Sequence, residues 1–123
     1  MNPGYLEQRK HIRVSFQKKS RLAATLERAG EVGQISCTIP GLSLGGIQAS
    51  AEIQSPLQRG DRLILHELLR GNVTLAEEPA ELEVGWAMEE ADTDRVTFGC
   101  RFVSLPEALR DVLINIIENE LTR

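Results

Sequence analysis

From residue 13 to residue 103 apolar and polar residues alternate along the chain, the period of strands buried on one face. Val14 and Phe16 are set between Arg13, Ser15 and Gln17, and the pattern returns at Leu22, Ala24 and Leu26 and at Ile35, Cys37 and Ile39. It is cleanest later: Leu82, Val84, Trp86 and Met88 alternate with Glu81, Glu83 and Glu89, and Val96, Phe98, Cys100 and Phe102 alternate with Thr97 and Arg101. Successive strand side chains point to opposite faces, so each apolar set is predicted to face a core, both cysteines included. Turn formers at Ala29-Gly30, Ser55-Pro56, Arg59-Gly60-Asp61, Gly71-Asn72, Glu78-Pro79 and Asp92-Thr93-Asp94 divide the chain into short strands at regular spacing. The fold class this predicts is mainly β, a small barrel or sandwich.

The period changes after residue 103. Ser104-Leu105-Pro106-Glu107 has the form of a capping box, with proline in the first turn. Leu105, Leu109, Val112, Leu113, Ile116 and Ile117 then follow helical spacing, while Arg110, Asp111, Asn115 and Glu118 lie opposite. A C-terminal amphipathic helix is predicted to cover an open end or face of the β structure. Ile114 falls off the stripe and is expected to be an exposed contact for a partner.

A chain of 123 residues supports one core, and 41% hydrophobic with 26% charged residues is an ordinary globular balance. Residues 1–8 are expected to be a flexible leader and residues 9–123 a single domain. No apolar run is long enough to span a membrane, and Glu7, Arg9, Lys10 and Arg13 interrupt any signal sequence, so the expected location is the cytoplasm, without membrane insertion. Cys37 and Cys100 form no CxxC, which suggests neither a disulfide framework nor a zinc site. The net charge of −4 argues against bulk nucleic-acid binding, yet residues 1–28 carry +5 and the remainder −9. A basic start on an acidic body suits one discrete anion site.

Catalytic signatures are missing. His66 lacks the second histidine of a metalloprotease helix, and there is no nucleophile elbow, P-loop or ligand cluster, so no enzyme is expected. Two patterns remain. Arg9-Lys10-His11-Ile12-Arg13 is an RxxxR; in an extended segment its arginines share a side with Cα atoms about 13 Å apart. A guanidinium fork binds phosphate oxygens or a guanine O6/N7 edge and stacks on purines. Pro40-Gly41-Leu42-Ser43-Leu44-Gly45-Gly46-Ile47 is a glycine-rich corner against which a ligand could sit, with Ser43 able to donate and accept.

In this order the two patterns resemble the PilZ family, whose motifs are RxxxR followed some thirty residues later by (D/N)xSxxG; here Arg13 and Gly41 are 28 positions apart. Glu7 to Val14, Ile39 to Ile47, and Phe98-Gly99-Cys100-Arg101-Phe102-Val103 before the helix extend the resemblance over nearly the whole chain. It implies a six-stranded antiparallel β-barrel with a C-terminal helix, in a bacterial receptor that binds cyclic di-GMP and relays its level to a partner protein. It also implies a ligand-binding set of Arg9, Lys10, Arg13, Gly41, Ser43 and Gly46, with no metal or other cofactor. The arginines would hold guanine and phosphate, Ser43 would donate to the ligand, and Gly46 would let the strand pass close.

The departure is Gly41, which stands where the family has an acid or amide; no Asp or Asn occurs between residues 30 and 60. Two readings therefore stand, a cyclic di-GMP receptor and a degenerate PilZ-like adaptor that acts through protein contacts without nucleotide. The downstream pathway, ligand stoichiometry and oligomeric state stay open, a homodimer included.

Overall fold

A computed structural model of the chain describes residues 13–15, 21–91 and 93–121. The leader, Arg9, Lys10, Phe16 and the middle of the Asp92 turn lie outside the described residues. The elements are β1 (Val14–Ser15), β2 (Leu22–Arg28), β3 (Gln34–Leu42), β4 (Gly46–Glu52), β5 (Arg62–Arg70), β6 (Val73–Ala76), β7 (Ala80–Glu89), β8 (Arg95–Ser104) and a helix, α1 (Glu107–Leu121).

All strand pairs are antiparallel, and six strands close in the order β3-β2-β5-β7-β8-β4, with β4 returning to β3. This is the predicted barrel. Two strands are added outside it, β1 along β3 and β6 along β5. Closure follows from the alternation: Leu22, Ala24 and Leu26 on β2, Cys37 and Ile39 on β3, and Val96, Phe98 and Cys100 on β8 are all buried in one core. The turns fall at the marked glycines, and Gly30, Gly60 and Gly71 take positive φ, which glycine adopts without steric cost.

Three details depart from the sequence pattern. Trp86 and Met88, expected inside with Leu82 and Val84, are 43% and 63% exposed. The β7–β8 register shifts between Val84 and Trp86, and one extra residue in a strand turns every later side chain to the other face. Ile114, expected as an exposed contact, is buried together with Leu109, Leu113, Ile116 and Ile117. The helix packs against both β6 and β1, so its covered face is wider than one stripe. Ser104 does not open the helix. It ends β8 opposite Glu81, whose N–H donates to Ser104 Oγ at 3.3 Å.

Candidate functional site

The corner between β3 and β4 is built around Ser43, which is buried. Its N–H donates to Gly46 O at 3.0 Å, while its Oγ accepts from Gly45 N–H at 3.1 Å and Gly46 N–H at 3.2 Å. The same hydroxyl oxygen lies 3.4 Å from Gly46 O, to which it can donate over a long contact. The side chain expected to donate to a ligand thus also holds the turn in shape. Phe102 N–H, donating to Gly45 O at 2.9 Å, pins the corner to β8.

Gly46 marks a close approach of strands. A Cβ there would overlap the Cys100 carbonyl oxygen and lie 3.0 Å from Arg101 Cα, so β4 meets β8 at a distance that excludes any side chain. Gly41 is buried, and its backbone lies outside the positive-φ region. It faces Ser15 on β1 and Gln48 on β4, and a Cβ added to it would stand 3.1 Å from Gln48 Oε1.

These residues converge. Arg13, Gly41, Ser43 and Gly46 line one open cavity of about 400 Å³, together with Gln48, Trp86, Cys100 and Arg101. The β1–β3 ladder does this, because Val14 opposite Leu42 places exposed Arg13 beside the corner. Of the residues named from sequence, four meet here; Arg9 and Lys10 lie outside the described residues.

Gln48, Trp86 and Arg101 were not singled out from the sequence. Trp86 reaches the cavity through the register shift, and its indole lies across bare Gly99, with Cε2 at 2.6 Å from where a Cβ would be. A glycine interrupting a strand pattern is a bulge signal, and Gly85 carried it. Arg101 stands opposite Glu83 and donates from Nε to Glu83 Oε1 at 2.9 Å. The Cys100 thiol is pushed up to about 12, first by burial and then by the nearby Cys37, so this part of the wall is neutral at physiological pH.

The cavity therefore offers two guanidinium groups, an indole beside them, a carboxamide and a glycine-lined corner. Guanidinium groups suit phosphate, and an exposed indole suits a purine face. Among the described residues no group of His, Cys, Asp or Glu could hold a metal ion, and no helix is long and apolar enough to cross a membrane.

The family model described as the PilZ domain matches residues 7–119. Among solved structures, the PilZ domain with c-di-GMP of YcgR from Escherichia coli is similar at a TM-score of 0.66 and 17% identity, over 94% of this chain and 92% of that one. The inhibitor of motility MotI/DgrA of Bacillus subtilis gives 0.66 and 16%, over 94% and 52%. The MrkH–c-di-GMP complex of K. pneumonia gives 0.65 and 12%, over 92% and 51%, so the chain spans about half the length of these last two. No curated protein matches significantly by sequence.

Proposed function

The chain belongs to the PilZ domain family, and from that premise we propose that it is a receptor for cyclic di-GMP that relays the nucleotide's level to a partner protein. The observation that carries this reading is convergence. Arg13 from the first motif and Gly41, Ser43 and Gly46 from the second lie 28 or more positions apart in sequence and line the same cavity.

A cyclic dinucleotide combines two phosphates with two purines, and the cavity matches both parts. Arg13 binds phosphate or a guanine O6/N7 edge through its fork, and Arg101, whose Nε is paired with Glu83, brings a second guanidinium to the same cavity. Trp86 offers a face for stacking. Arg9 and Lys10, in the same basic segment as Arg13, extend the phosphate-binding set. Two of the structures similar to this chain were solved with the same nucleotide.

Relay follows from where Arg13 stands. β1 joins the barrel through two residue pairs, Val14 with Leu42 and Ser15 with Gly41. A ligand held by both Arg13 and the corner would tie the basic segment to the barrel, and so change the surface offered to a partner. The role is binding, without a reaction.

Calorimetric titration of the protein with cyclic di-GMP tests this. Binding is expected, and Arg13→Ala should weaken it severely while leaving the melting temperature in place, because Arg13 is exposed. Arg13→Lys should also bind poorly, since an ammonium lacks the flat fork. Equal binding by wild type and Arg13→Ala would remove the site from this segment. No binding at all would favour the adaptor reading, for which bare Gly41 is the supporting observation.

A further inference from the structure

We infer that Gln48 is the residue that reads the purine base in this cavity, an inference that rests on the receptor reading above. Gln48 pairs across the ladder with Gly41, and its Oε1 and Cβ lie 3.1 and 3.3 Å from where a Cβ of residue 41 would be. The carboxamide therefore occupies the wall space that a side chain on β3 would fill. Bare Gly41 is what leaves room for it.

The chemistry of the wall singles out the same group. Ser43 has its hydroxyl engaged in the turn, the Cys100 thiol is buried, the indole of Trp86 only donates, and the two arginines are cations suited to phosphate. Ser15 offers a single hydroxyl. Gln48 is exposed and lines the cavity, and its side chain makes no hydrogen bond among the described residues. Its amide presents a donor and an acceptor in one plane, the pairing a base edge requires, and being neutral it does not repel a dianionic ligand.

The amide also makes a distinctive prediction about selectivity. By turning about its last torsion it can face its oxygen or its nitrogen to either half of a base edge, so it can pair with guanine or adenine. A carboxylate at the same place accepts only, and so matches the two adjacent N–H donors of guanine but not the donor and acceptor of adenine.

The test titrates wild type, Gln48→Leu and Gln48→Glu with cyclic di-GMP and cyclic di-AMP, with a melting curve on each. Gln48→Leu should melt like wild type and bind cyclic di-GMP about tenfold or more weakly. In Gln48→Glu both affinities fall by charge repulsion, while the ratio of guanine to adenine binding rises about tenfold. Wild-type affinity for cyclic di-GMP in Gln48→Leu, or an unchanged ratio in Gln48→Glu, overturns the inference and leaves the receptor reading standing. Absence of cyclic di-GMP binding by the wild type overturns both.

Discussion

Gly46→Ala puts the β4–β8 approach to a direct test. The added methyl would overlap the Cys100 carbonyl oxygen and lie 2.9 Å from its carbonyl carbon and 3.0 Å from Arg101 Cα. All three obstacles are backbone, so no side chain can swing aside. β8 cannot retreat, because its other edge is bonded to β7 along the same stretch, where Val84 faces Cys100 and Glu83 faces Arg101. Relief must come from β4, at the expense of the Gly46–Arg101 pair and the Ser43 bonds to Gly45 and Gly46. Forced overpacking costs about 1–3 kcal/mol, and a backbone obstacle puts this case at or above about 3 kcal/mol. With an unfolding entropy of about 2 cal/mol/K per residue, the melting temperature should fall by about 10 °C or more. Gly85→Ala is the control: its methyl would meet nothing nearer than Gly99 O at 3.7 Å, an ordinary contact. Both variants would be melted side by side by circular dichroism. Gly46→Ala melting together with Gly85→Ala would refute the tight approach.

Gly41→Asp needs no backbone strain, but its Cβ must displace the Gln48 amide from 3.1 Å and put a carboxylate in its place, so the ratio of cyclic di-GMP to cyclic di-AMP affinity is expected to gain about tenfold. Parallel titrations against wild type check it, and a variant that folds and gains nothing would mean that residue 41 does not face the base. Ile116→Ala and Ile114→Ala should each cost about 2–5 kcal/mol in denaturant unfolding through a cavity under α1, while exposed Asn115→Ala stays near neutral. A neutral Ile114→Ala would show that the second helix face is not packed. Both thiols are raised by burial from 9.0 to about 12, so above pH 9 the unfolded chain loses protons that the native one retains. Their contribution is full below about pH 9 and should be lost as pH rises toward 12, a decline that denaturant melts of Cys37→Ala and Cys100→Ala should show in reduced form.

Strands β2 and β8 were legible because each keeps its apolar set on the core, which is the condition under which alternation reports burial; β3 keeps it as far as Ile39 and then shifts register, so that Leu42 is buried out of phase. β7 broke that condition. Its apolar alternation continues through Trp86 and Met88, but the register shift at Gly85 sends them outward, and a period-two reading cannot see a one-residue insertion. Ile114 was missed for a different reason: a helical stripe anticipates one covering surface, and α1 meets β1 as well as β6. At the site, Arg13, Gly41, Ser43 and Gly46 announced themselves as spaced motifs. Gln48 did not, because its relation to Gly41 is cross-strand and exists only once the β3–β4 register is known.

The register shift in β7 also divides that strand in its exposure to solvent exchange. Up to Val84 it is bonded on both sides, to β5 or the Gly60–Asp61 turn on one and to β8 on the other. From Gly85 to Glu89 it keeps β8, while among the described residues no strand lies along its other edge. Amides facing that edge have no strand partner among the described residues and should exchange deuterium without any strand having to separate, whereas those before Val84 must wait for the barrel to open. By geometry β7 is one strand of ten residues; by protection it is a slow half inside the barrel and a fast fringe that carries Trp86 at the cavity mouth.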